Sequence, residues 1–264
     1  MESRNPIFSR RGPVGQGQWS GPAPSPQHLQ DMYNQPSYAP PAGMGRTLTM
    51  DDVVMKGFIV LGTLMASAGV AWIMEVPMGI AVVALIAALI LGLVITFKQS
   101  TNPALILAYA VLEGVALAGI SLIFAARFGN GLVLQAIVGT MMAVLGVLAV
   151  YALNIFRPTP KFAKFVIGAA IGAIGLILVN MLVGIWVPGG LGLRSGGALA
   201  IVFSAAMILL GMFFLLLDFD EINHAVQAGA PERTSWLLVF GLMLSIVWIY
   251  LEVLRLLSYF SGDD

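Results

Sequence analysis

Three acidic residues close an apolar run in Leu215-Leu216-Leu217-Asp218-Phe219-Asp220-Glu221, and a fourth, Glu252, interrupts the next at Trp248-Ile249-Tyr250-Leu251-Glu252-Val253-Leu254. Glu113 lies in a third apolar run, Tyr109-Ala110-Val111-Leu112-Glu113-Gly114. A carboxylate inside a bilayer costs roughly 3 kcal/mol on insertion scales, so it persists where it faces a polar interior and has a partner or a passing ion. The chemistry these residues point to is the binding or passage of protons or cations.

The rest of the chain supplies the bilayer setting. Its 264 residues are 59% hydrophobic and only 10% charged, with a mean hydropathy of +0.92, whereas soluble domains have about a quarter of their residues charged. This is the composition of a polytopic membrane protein. The absence of cysteine excludes disulfides, thiol nucleophiles and cysteine metal cages, and leaves the redox compartment open. Residues 1–47 are dominated by Pro, Gln, Ser, Gly, Asn and Tyr. Such a segment buries too little apolar surface to offset its ordering entropy, and a disordered cytoplasmic tail is expected. The tail is either passive or a docking segment for other membrane proteins through Tyr33, Tyr38 and its prolines. No apolar stretch follows Arg10-Arg11, so it is not a signal peptide.

From Val53 onward, apolar stretches of about the 20 residues needed to cross a bilayer recur with turn residues between them. Seven spans are expected within a domain over 48–260, at about 53–74, 79–97, 104–126, 131–153, 163–186, 197–217 (or, extended, to 228) and 236–258. Pro77, Pro103, Pro158, Pro160, Pro188 and Pro231 fall in the gaps, where proline favours a break. Thr49-Met50-Asp51-Asp52 offers capping residues for the first span. With a cytoplasmic N terminus, Arg4, Arg10, Arg11, Arg46, Lys56, Lys98, Arg157, Lys161, Lys164 and Arg233 lie inside, against Arg127, Arg194 and Arg255 outside. The positive-inside rule then gives a plasma-membrane protein, bacterial on this reading, with its N terminus in and its C terminus out. The connections are too short for an extramembrane domain, which leaves function to the membrane core or the tail. Gly114 and Gly119 in span three, and Gly168, Gly172 and Gly175 in span five, are expected at close helix contacts.

Taken singly, Glu113 sits about ten residues into span three, ~14 Å from its inner end at 1.5 Å per residue, near mid-membrane. For Asp218, Asp220 and Glu221 two readings stand. A span ending at Leu217 leaves them in a solvated turn. A helix continuing to the Gly229-Ala230-Pro231 stop buries Asp218 about 16 Å above that turn. Asp218 and Glu221 share a helix face and Asp220 points elsewhere. Glu252 is about 24 Å from the inner end of span seven, and Arg255, three residues on, is available as a local ion-pair partner. His224 reads as an exposed loop residue, and Asn154, Asn180 and Ser204 as makers of helix-to-helix hydrogen bonds. No HExxH, GxSxG, P-loop or dinucleotide fingerprint occurs, the Gly-x-Gly-Asp of intramembrane aspartyl proteases is missing, and span seven lacks a retinal-binding lysine. Neither an enzyme, a cofactor nor a nucleic-acid partner is expected.

Three segments, Tyr109 to Ser121 (YAVLEGVALAGIS), Leu215 to Ile222 (LLLDFDEI) and Trp248 to Leu257 (WIYLEVLRLL), resemble the Bax inhibitor, or YccA-like, transmembrane proteins over about residues 50 to 260. That resemblance implies an all-α membrane fold, six helices around a central seventh, with an acidic pair from helices six and seven as a pH-sensitive latch on a calcium leak pathway. Asp218 matches the helix-six acid, Glu252 the helix-seven acid with Glu in place of Asp, and Glu113 a glutamate found on helix three; Lys98 stands as a basic partner at the inner end of helix two. Two close carboxylates in a poorly solvated site cannot both ionise cheaply, so such a pair titrates as a unit. Calcium takes six to eight oxygens, and Asp218 and Glu252 are expected to hold it loosely and transiently. The competing readings are a non-transporting modulator that binds other membrane or stress-response proteins, and a proton-coupled solute transporter, against which the absence of a clear inverted repeat argues.

Overall fold

The computed structural model describes residues 46–261; the expected tail, apart from Arg46 and Thr47, lies outside the described residues. Seven helices follow in order: α1 (Met50–Ile73), α2 (Met78–Lys98), α3 (Pro103–Phe128), α4 (Asn130–Ala152), α5 (Pro160–Val183), α6 (Ala198–Gln227) and α7 (Thr234–Phe260). All seven are long and apolar enough to cross a membrane. Short connections make successive helices run in opposite directions between a near face, where α1 begins, and a far face, where α7 ends.

Local sequence sets the helix ends. Thr49 caps α1 with a capping box: its hydroxyl accepts from Asp52 N, and the Asp52 carboxylate accepts from Thr49 N. Pro103 and Pro160 open α3 and α5 behind the side-chain caps Asn102 and Thr159, positions where proline sacrifices no helical hydrogen bond. A single residue, Gly129, turns α3 into α4 at φ +86°, a conformation that a side chain would strain.

Helix α7 occupies the centre, packed against α1, α3, α4 and α6, and α3 shares the interior with it. About half of the apolar window of each is buried, against roughly a fifth for α2 and α5, which pack chiefly on α3 and on α6 respectively. Their outward Leu, Ile, Val and Phe side chains are the surface a bilayer requires. Glycine permits the tight contacts of α3. A Cβ on Gly114 would meet Leu64 O of α1 at 2.5 Å, and one on Gly119 would meet Ala81 Cβ of α2 at 2.2 Å. The glycines of α5 do otherwise: Gly168, Gly172 and Gly175 have nothing within 4 Å of a Cβ position, because this helix has few neighbours.

Arg46 and Thr47, expected in the tail, are instead tied to the α6–α7 turn. Leu48 N donates to Ala230 O at 2.8 Å and Glu232 N to Arg46 O at 2.9 Å, flanking a bridge between Thr47 and Pro231. Arg46 also pairs with Asp52 at 3.0 Å. Lys56 reinforces this clamp from α1, donating to Glu232 Oε1 at 3.0 Å and Ser235 Oγ at 2.8 Å.

Candidate functional site

The membrane-embedded acids lie on three helices, Asp218 and Glu113 each ~14–15 Å from the near end of their helix and Glu252 farther out. Helix α6 has 30 residues, ~45 Å at 1.5 Å per residue, against a hydrocarbon core of ~30 Å. It continues past Leu217 to Gln227, so the solvated turn after Leu217 does not form and Asp218, on the helix, is half-buried. Asp218 lies nine residues before that end, ~14 Å, which for a centred helix is ~7 Å inside the apolar layer. Across the α6–α7 contact, Ser245 Oγ donates to Asp218 Oδ2 at 2.5 Å. The other oxygen, Oδ1, faces Gly241, where a Cβ would stand 3.6 Å away. A cavity of about 240 Å³ lined by Gly211, Phe214, Asp218, Ser245 and Trp248 adjoins this pair. Gly211 lets α7 approach, since a Cβ there would meet Ile249 at 2.9 Å and Trp248 at 3.2 Å.

Glu113 lies near the middle of α3, buried, one turn after Tyr109, whose ring meets Phe240 of α7 edge-on at 5.0 Å. Glu252 lies beyond both, 5% exposed, 18 residues and so ~27 Å from the start of α7. Its Oε1 accepts from Arg255 Nη1 at 2.5 Å and from Arg194 Nη2 at 3.4 Å. The local pairing with Arg255 therefore forms, and a second arginine, from the α5–α6 connection, joins it. Burial lowers the Arg194 guanidinium below its ordinary value, Arg255 acts in the same direction, and Glu252 opposes them.

Asp218 and Glu252 do not converge in this structure. The residue opposite Asp218 is Ser245, and Glu252 is seven residues further along α7, ~10 Å of helix. In this structure an acid–serine contact stands at one depth and an acid–arginine cluster at another. Among the described residues no group of three or more His, Asp or Glu gathers as a metal cage. Lys98 is exposed at the end of α2, with no ion pair among the described residues; the α2 terminus is too peripheral to bring it to either acid.

The remaining candidates separate by helix face. Asp220 turns to α4, accepting from Tyr151 Oη at 3.3 Å, and lies 3.4 Å from His224 Nε2. Glu221 is exposed. His224 is exposed as expected but belongs to the last turns of α6 rather than to a loop. Of the three polar residues expected to join helices, two do not: Asn154 lies past the end of α4 and accepts from Arg157, and Asn180 Oδ1 accepts from Leu191 N of the α5–α6 connection at 2.9 Å. Ser204 of α6 is buried beside the Tyr259 hydroxyl of α7.

Sequence reasoning missed Ser245 and undervalued Arg194. Ser245 had a signal: it lies seven residues before Glu252, on nearly the same face of α7. Arg194 had none, because only the fold of a glycine-rich connection carries it over α7. The assembled site can hold a charge inside the bilayer at Asp218, exchange it for a proton, and fix a charged cluster at the far face.

The Bax inhibitor 1 like family model matches residues 5–262 of the chain. Comparison with curated proteins gave no match. Comparison with solved structures gave none either. With seven membrane-spanning helices and a family match over nearly its whole length, the chain is an integral membrane protein that belongs to the Bax inhibitor 1 like family.

Proposed function

We propose that this protein is a pH-sensitive leak pathway for calcium or another cation, held closed in this conformation. The observation that carries the reading is the Asp218–Ser245 contact: a carboxylate inside the apolar layer satisfied by one hydroxyl across the α6–α7 interface. An ionised carboxylate only accepts hydrogen bonds, and a protonated one also donates. Proton uptake at Asp218 thus changes both the charge on the path and the hydrogen bonding that joins two helices, which is the kind of local event that biases a two-state element. Glu113 and Glu252 are the further carboxylates along the path. At the far end, Glu252 is engaged by two arginines, whose positive charge opposes cation entry until they move. Calcium meets successive single carboxylates rather than a cage, which suits permeation better than storage.

The near face carries Lys56, Lys98, Arg157, Lys161, Lys164 and Arg233, which supports a cytoplasmic near face in a bacterial plasma membrane. The deciding experiment is calcium flux into proteoliposomes, followed with a trapped indicator across neutrality, for the native chain, Asp218→Asn and Glu252→Gln. Flux that changes with pH in the native chain and is independent of pH in Asp218→Asn supports the reading. Folded native protein that passes no ion at any pH overturns it and leaves the non-transporting modulator, with the N-terminal tail as its docking segment.

A further inference from the structure

Near the far end of α7, two arginines converge on one acid. Arg194 and Arg255 share the single oxygen Glu252 Oε1, so among the described residues two guanidinium groups face one carboxylate. Among the described residues, two polar atoms of this cluster are buried without a hydrogen-bond partner, Arg194 Nε and Glu252 Oε2, whereas the Tyr259 and Ser204 hydroxyls lie beside one another. Arg194 Nε carries a proton to donate, and an unsatisfied buried donor is costly enough to call for a bound acceptor. Helix α6 begins at Ala198 behind Gly197 with no side-chain cap, and the free N–H groups of its first turn add positive potential to the same connection.

There is also room. A cavity of about 380 Å³ opens beside Arg194, lined by Asn180, Gly189, Gly190, Arg194 and Ser195. Its wall is drawn in by Gly190 at φ +62°, where a Cβ would stand 2.5 Å from Asn180 O; no other residue fits that approach. Asn180 fixes the connection by accepting from Leu191 N, which holds the arginine-bearing segment in place.

We infer that this far-face cluster binds a phosphate-type anion, either the phosphodiester of a lipid headgroup or free inorganic phosphate, with Arg194 as the principal ligand. The guanidinium fork matches two phosphate oxygens at once, a geometry an ammonium does not reproduce. Glu252 repels the anion and sets the sign of the test. The cluster stands on residues that binding can report without any ion transport, so this inference and the leak pathway fail separately.

The test is equilibrium binding to the full-length protein in a neutral detergent, with inorganic phosphate in one arm and a short-chain anionic phospholipid in the other, and chloride and a zwitterionic short-chain lipid as competitors. Saturable binding in either arm is expected, and the arm that saturates identifies the source. Arg194→Gln is expected to weaken it about tenfold or more, and Arg194→Lys to recover only part of that loss. Glu252→Gln removes the repelling charge and is expected to tighten binding severalfold, a change that a misfolded variant would not produce. Arg127→Gln, which removes a charge at the end of α3 that makes no ion pair with Glu252, leaves binding unchanged. No saturable binding in either arm overturns the inference. So does a Glu252→Gln variant that folds normally yet binds no tighter.

Discussion

Substituting Gly114 by alanine tests how closely α3 must approach α1 to hold Glu113 in place. A Cβ on Gly114 would lie 2.5 Å from Leu64 O and 2.0 Å from Ser67 Oγ. The serine side chain can rotate away, at the loss of its bond to Leu64 O. The backbone carbonyl cannot rotate away. Carbon–oxygen contacts between packed backbones sit at about 3.3 Å, so α1 must retreat by ~0.8 Å, with the α1–α3 packing between Leu64 and Ser67 opened along the way. Overpacking of this kind costs about 1–3 kcal/mol, and the better helix propensity of alanine returns at most ~1 kcal/mol. Gly168→Ala supplies the matched control: the same propensity gain with nothing within 4 Å. The two variants should therefore shift in opposite directions, Gly114→Ala losing about 1–2 kcal/mol and Gly168→Ala gaining about 0.5–1 kcal/mol. Reversible unfolding by a denaturing detergent, titrated into protein held in mild detergent micelles, measures both. Equal stability of the two variants would refute the close approach of α1 and α3.

Ser245→Ala should alter the pH response of ion flux as Asp218→Asn does, because it removes the one hydroxyl that holds the carboxylate; a native pH profile in Ser245→Ala would detach the response from this contact. Lys56→Met removes the ties to Glu232 and Ser235 and the approach of its ammonium to 5.5 Å from the Trp236 ring. Since Glu232 is 38% exposed and can rehydrate, the loss should be about 1 kcal/mol, and amide hydrogen exchange at residues 228–236 should quicken while α3 and α4 stay protected. Tyr151→Phe, whose hydroxyl reaches Asp220 at only 3.3 Å, should change stability by less than about 0.5 kcal/mol, and a large loss in the same unfolding titration would show that this contact matters more than its geometry allows. Moving a reporter between the two termini tests topology: a cytoplasmic signal from a C-terminal fusion would reverse the expected orientation.

Helix number, helix order and the family were legible because a membrane span is written in consecutive apolar residues and closed by prolines and caps. Asp218 was identified for the same reason, as a charge where the local pattern demanded none. The partner of Asp218 was not, because which residue of α7 stands opposite it depends on the register of α6 against α7, and that register is set by contacts such as Gly211 against Ile249 and Trp248. An apolar run offers no periodic mark for such a register. The glycines show the limit from the other side: Gly114 and Gly168 look alike in sequence, yet one is pressed against a neighbouring backbone and the other faces open space. The clamp at residues 46–48 was hidden as well, since its pairing with 230–232 uses backbone groups that every residue carries.

The central helix ties the two polar sites together. Ser245 and Glu252 are seven residues apart, and seven steps of ~100° return to within ~20° of the starting direction. Yet Ser245 meets α6 at Asp218, whereas Glu252 meets the α5–α6 connection at Arg194. Both partners are thus attached to the same side of the molecule, Asp218 within α6 and Arg194 in the connection that leads into it. A helix is stiff about its axis, so a rotation of α7 that withdraws Ser245 from Asp218 also carries Glu252 away from Arg194. On the proposed leak reading, protonation at Asp218 and separation of Arg194 from Glu252 would be two ends of one movement, with Arg255 travelling alongside Glu252 on the same helix.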